Sequence, residues 1–102
     1  MEKKQTKTQM IAQIHELAYE YLGWRNFDIA GLKSKSASYL ADLLVQYERM
    51  VNLSRQEKEL RSHFSRNQQD YYYIFCREED RPAELRQADK LSREANEIWL
   101  GR

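Results

Sequence analysis

Apolar residues recur along the chain with a helical period. Met10, Ile14, Leu17 and Tyr21 stand three and four apart, Ile11 and Ala18 widen the same stripe, and this spacing predicts a helix over 8–22. Gly23 then supplies a natural stop, because a helix commonly ends on a residue in the left-handed conformation. From Gly23 to Lys35 the period is lost, yet Trp24, Phe27, Ile29 and Leu32 remain. Connections this long are packed or functional in compact chains. Four large apolar residues favour packing, with the segment plugging the end of a helical core around a short 3₁₀ turn.

A second apolar face follows at Leu40, Leu43, Leu44, Tyr47 and Val51, with Met50 at its edge and Ser34 or Ser36 in place to cap it. The expectation is a helix over 36–51, closed by Asn52. Ser54 stands three residues before Glu57, the spacing of a capping box, with Leu53 available as the staple residue. A third helix therefore starts at Ser54, and with nothing to break it before Asp80 it extends over 54–79. Pro82 suits the opening of a fourth, 82–100, whose apolar face is Leu85, Ala88, Leu91, Ala95, Ile98 and Trp99 and which Gly101 ends. The run Tyr71 to Cys76 would also suit a strand. A strand needs a partner, however, and no second run of that character exists. The chain reads as all-α: a compact bundle of about four helices with a packed loop over 23–35, one domain over 1–102, and a flexible tail at 1–5.

Projecting 54–79 as a single helix, at about 100° per residue, gathers Leu53, Leu60, Phe64, Tyr71, Ile74 and Phe75 on a core stripe with Asn67 among them. Tyr72, Tyr73 and Cys76 fall on the other side with Arg55, Lys58, Arg61, Arg66 and Gln69. That back face begins basic and ends aromatic. Either the fourth helix or the 24–32 segment folds over Tyr72 and Tyr73, or the two rings are exposed at an interface, where aromatics and Arg are enriched.

Composition narrows the functional classes. Hydrophobic residues make up 41%, charged residues 32%, with three Gly and one Pro, which fits a folded helical domain better than a disordered chain. The formal net charge is +1, so no global field drives the chain onto nucleic acid or anionic lipid. The polarity is mild and local: residues 1–66 hold 11 basic and 8 acidic side chains, residues 67–102 hold 6 and 8. A lone cysteine, Cys76, and a charged start suit a reducing, cytoplasmic setting. No apolar run approaches the roughly 18 residues of a membrane span.

Candidate chemistry is sparse. Glu59, His63 and Asn67 sit at i, i+4 and i+8, so a carboxylate could orient the imidazole, but no third ligand or nucleophile accompanies them. His15 with Glu16 and Tyr19 is weaker still. Paired His-x-x-x-His or Cys-x-x-Cys motifs, glycine-rich phosphate loops and nucleophile elbows are absent. Arg77 adjoins Cys76, but Glu78, Glu79 and Asp80 oppose thiolate formation. No catalytic, cofactor-binding or metal-ligating set is expected, and no small-molecule substrate is indicated.

Two features point towards nucleic acid. Arg55, Lys58, Arg61 and Arg66 share a predicted face with Tyr72 and Tyr73, combining phosphate-neutralising and stacking groups. Lys33, Lys35 and nearby serines also precede a helix N-terminus, a ready anion site. The stretch "GLKSKSASYLADLL" is similar to the second helix of SAP-type helix-loop-helix DNA-binding elements. That similarity spans 14 residues of generic helix-start chemistry after too long a loop, and it assigns no family. Glu57 and Glu59 lie among the same arginines and can neutralise them. The expectation is therefore a non-enzymatic small helical protein, an adaptor, regulator or inhibitor, that binds another protein or itself. Its predicted partner-binding residues are Arg55, Lys58, Arg61, Arg66, Gln69, Tyr72 and Tyr73, with Trp24 and Arg25 contributing. A helical nucleic-acid-binding module is the alternative. Small size with no active-site set would suit a regulator carried by a phage or other mobile element.

Overall fold

The computed structural model describes residues 6–23 and 30–101, and all regular structure among them is helical: α1 (Lys7–Leu22), α2 (Ala30–Lys33), α3 (Ala37–Arg61), α4 (Arg66–Phe75), a 3₁₀ turn at Glu78–Asp80, and α5 (Ala83–Leu100). The chain is an all-α bundle. Within the long connection, α2 is a single α turn that delivers Leu32 to the core. The expected plugs Trp24, Phe27 and Ile29 lie outside the described residues, as do the tail 1–5 and Arg25.

The first and last long helices follow the sequence pattern closely. Thr6 caps α1 through its side chain, which accepts from the Gln9 backbone N–H, while Gln9 Oε1 accepts from the Thr6 N–H. This reciprocal box moves the start one residue ahead of the expected Thr8. Gly23 ends α1 at φ 78°, with its N–H on Tyr19 O at 2.8 Å. Pro82 stands at the cap of α5, one position before the first helical residue. Leu85, Ala88, Leu91 and Ala95 are buried as the period predicts.

The middle of the chain departs from expectation. α3 does not close at Asn52. It runs 25 residues, about 38 Å at 1.5 Å per residue. Leu40, Leu44, Tyr47, Val51 and Ser54 alternate steps of four and three, and all are buried with Leu43 and Met50. The stripe stays in phase across the supposed break: Asn52 is simply exposed, and Ser54 is a core-facing residue inside the helix instead of a cap. Glu57, the other half of the expected capping box, instead accepts from Arg61 Nε at 2.7 Å.

The real break is at Ser62 to Ser65. His63 and Phe64 donate to the carbonyls of Leu60 and Arg61 three residues back, tightening the last turn. Ser65 and Gln68 then form the capping box that starts α4: the Ser65 hydroxyl accepts from the Gln68 N–H, and Gln68 Oε1 accepts from the Ser65 N–H. Gln69 Nε2 reaches back across the corner and donates to Arg61 O at 3.0 Å, which also accepts from the Phe64 N–H, and to Phe64 O at 3.2 Å. The expected helix over 54–79 is thus the end of α3, a corner and α4, which stops at Cys76 in extended conformation.

α3 is the shared wall of the core. α1 packs along one part of it and α5 along another. Tyr47 of α3 meets Trp99 (ring centroids 5.7 Å apart), whereas Arg61 meets Asp89 (3.0 Å), so α5 runs antiparallel to α3. Tyr21 reaches the same Trp99 from α1 at 6.2 Å. Ile14, Ala18, Leu40, Tyr47, Met50, Leu85 and Ala88 are fully buried in this core. No helix among the described residues is long and apolar enough to cross a membrane.

Candidate interaction site

α4 buries none of its residues completely and is held mainly by polar contacts on one side. Tyr73 points inward, where its hydroxyl donates to Asp89 Oδ1 of α5 at 2.7 Å and accepts from Arg61 Nη1 of α3. Arg61 also donates to Asp89 Oδ1 at 3.0 Å. Arg81 lies over the Tyr73 ring, 4.4 Å from its centroid, and donates to the Tyr72 carbonyl at 3.3 Å. The second Asp89 oxygen is buried without a hydrogen bond and meets its counter-charge in Arg81 Nη1 at 3.6 Å. Two arginines, one carboxylate and one phenol therefore latch α4 onto the α3–α5 seam.

Burial and hydrogen bonding explain the ionisation of this latch. Burial works to lower the Arg61 pKa, but hydrogen bonds to Glu57, Tyr73 and Asp89 outweigh it and raise it, so the guanidinium stays charged. Burial, then the hydrogen bond to Asp89, raises the Tyr73 pKa against the opposing pull of Arg61. The phenol thus keeps the proton that it donates.

The opposite face of α4 is open. Tyr71 is 56%, Ile74 70% and Phe75 75% exposed. The Tyr71 and Phe75 rings lie 5.6 Å apart, and Tyr71 contacts Tyr72 edge-on at 5.5 Å, which in turn meets Phe64 at 6.2 Å. A continuous aromatic ladder runs from the half-buried corner at Phe64 to the exposed tip at Phe75.

This reverses the face assignment expected from the sequence. Tyr71, Ile74 and Phe75 are outside and Tyr72 and Tyr73 are half-buried, because the corner at 62–65 resets the rotation that a single continuous helix would have carried forward from Leu53 and Leu60. Of the two alternatives for these rings, the structure shows Tyr73 covered by Asp89 of α5 and by Arg81, while Tyr72 packs edge-on against Phe64 at the corner.

The other expected site residues do not form one surface. Arg61, Gln69 and Tyr73 come together, but as structural fasteners. Arg55 is exposed on the far side and grips Glu20 of α1 through two hydrogen bonds of 2.9 and 2.7 Å. That bond holds the Glu20 carboxyl below its ordinary range. Lys58 and Arg66 are exposed, and Trp24 and Arg25 lie outside the described residues. The residues that the sequence reading missed as surface are Tyr71, Ile74 and Phe75; the signal that could have found them is the second capping box, Ser65-x-x-Gln68.

His63, at the corner, contacts Glu84 of α5 through Nδ1 and approaches Glu59 at 3.8 Å through Nε2. The hydrogen bond to Glu84 raises its pKa. Cys76 is a free, half-buried thiol. Among the described residues no group of three or more His, Cys, Asp or Glu is arranged to hold a metal ion. An open groove of about 420 Å³ between α3 and α5 is lined by Leu60 and Leu91 with Arg55, Gln56, Glu59 and Gln87. Against family models, curated proteins and solved structures the chain finds no match, so its functional reading rests on its own residues.

Proposed function

We propose that the chain is a small non-enzymatic helical protein that acts in the cytoplasm by binding another protein, as an adaptor, regulator or inhibitor, and that the outer face of α4 is its docking element. The observation that carries this reading is the concentration of Tyr71, Ile74 and Phe75, each more than half exposed, on one face of a helix that buries nothing completely. Side chains at i, i+3 and i+4 form the ridge by which an amphipathic helix enters an apolar surface. Aromatic rings already stacked on one another lose little freedom when they are covered. The nucleic-acid alternative has less support, because Arg55 and Arg61 are each committed to carboxylates and do not share a face with exposed aromatics.

Photo-crosslinking tests the assignment. Benzoylphenylalanine in place of Phe75 is expected to give a discrete protein adduct in the native cell, whereas the same group in place of Val45 on α3, also largely exposed, gives none. Equal labelling from both positions, or none from either, would remove α4 as the docking element. A nucleic-acid adduct in place of a protein one would favour the alternative.

A further inference from the structure

Positive charge is not spread evenly over the molecule. Of the 17 basic and 16 acidic side chains, residues 1–8 and 30–39 hold five and one, which leaves 12 and 15 for the rest of the chain. The fold brings these two stretches to one end. Lys7 Nζ, at the start of α1, donates to the Lys33 carbonyl at 3.3 Å, while Glu20, near the end of α1, meets Arg55 far along α3, so α1 and α3 run parallel. Lys7, Lys33 and Lys35 are all exposed, and none has an ion-pair partner among the described residues. Lys3 and Lys4 stand just ahead of Lys7 in the sequence. Lys7 and Lys33 border an open cleft of about 250 Å³ that is also lined by Thr8 and Ile11. Lys35 Nζ stands over the Tyr39 ring, 5.2 Å from its centroid, and that ring is 40% exposed. Asp42, one turn further along α3, bounds the patch.

We propose that this lysine end is a second interaction surface, and that it takes the phosphate backbone of single-stranded nucleic acid without regard to base sequence. Lysines clustered without acidic partners hold a local positive potential; a row of phosphates neutralises it and releases counterions. The side-chain types select among polyanions. Lysine is depleted in protein–protein interfaces, whereas as a point charge it suits phosphate. An anionic membrane calls for large apolar side chains that can enter it beside the cations. Here the one large apolar side chain exposed in α2 and the first turns of α1 and α3 is Tyr39. A tyrosine ring next to a lysine offers a base a stacking face and its phosphate a cation. The surface is independent of α4. α3, about 38 Å long, separates the two, so nucleic acid at one end and a protein at the other can be held at once.

Titration of the full chain into a fluorescein-labelled oligothymidylate of about 20 nucleotides, followed by anisotropy from about 20 to 200 mM salt, tests the proposal. Three lysines on phosphates predict a slope of about −2 for log affinity against log salt. Lys33→Gln with Lys35→Gln should weaken binding about ten-fold, and Tyr39→Ser about five-fold. Removing two exposed charges at the other end of α3, Lys58→Gln with Arg66→Gln, should change it less than about two-fold. No anisotropy change at low salt with up to about 1 mM protein, an affinity indifferent to salt, or equal losses from the two double variants would overturn the proposal. So would tighter binding of polyglutamate or of phosphatidylserine vesicles, which would assign the surface to an acidic protein or to a membrane.

Discussion

α4 and α5 are adjacent in sequence, and both carry apolar residues at helical spacing, yet they settle in opposite ways. The buried face of α5 is leucine and alanine, Leu85, Ala88, Leu91 and Ala95, packed along α3. α4 holds three tyrosines, an isoleucine and a phenylalanine in ten residues and buries none of them completely. The difference is one of length and phase. An 18-residue helix can lie along a 25-residue neighbour and keep a whole stripe in contact. A 10-residue helix entered through a sharp corner touches the seam on one side only, and there the contact is a phenol, a carboxylate and two guanidinium groups. Apolar content alone thus does not decide burial; the backbone that aims it does.

The comparison can be broken most forcefully at the α3–α5 seam. Leu85 is fully buried, so Leu85→Ala is expected to lower the unfolding free energy by about 2–5 kcal/mol in chemical denaturation. A cost below about 1 kcal/mol would mean that α5 is not the core helix described. The latch is next. Asp89→Ala leaves Arg61 and Arg81 without their shared partner inside a partly buried site, and a loss of about 2 kcal/mol is expected. Amide exchange should then quicken in α4 while α1 and the first half of α3 keep their protection. Uniform acceleration across all helices would mean that α4 is part of the core and not a latched addition.

A smaller effect sharpens the role of the corner. His63 has a raised folded-state pKa through Glu84 and Glu59, so its protonated form favours the folded state. That stabilisation is fully present below the ordinary histidine value of 6.5 and is lost as pH rises through the higher folded value. The melting temperature of the wild-type chain should exceed that of His63→Gln at pH values just above the carboxylate range, with the gap closing as pH rises past neutrality. A gap that widens with pH would contradict the contact with Glu84.

Much of the architecture was legible in the sequence, and the loss was local. α1 and α5 carry their own punctuation in Gly23, Pro82 and Gly101, and their periods are unbroken. The α3–α4 region contains the same capping-box spacing twice, Ser54 to Glu57 and Ser65 to Gln68. Only the second is a cap, and the unbroken four-and-three rhythm from Leu40 to Ser54 was the clue that the first was not. Misplacing that corner rotates the faces of α4 alone, so the spacing puts the Tyr71, Ile74 and Phe75 ridge in the core and the latch tyrosines on the back face. Gln69 capping α3 across the corner depends on a turn that residue spacing alone does not reveal.

Paired thermal melts at low micromolar concentration test the face assignment most directly. Ile74→Ser with Phe75→Ser should leave the melting temperature within about 3 °C of wild type, as for changes at exposed positions. Tyr72→Ser with Tyr73→Ser removes two half-buried rings and the hydrogen bond to Asp89, and should lower it by about 10 °C. The reverse ranking, a large fall for the Ile74 and Phe75 pair and none for the tyrosines, would contradict the outward ridge and the inward latch together.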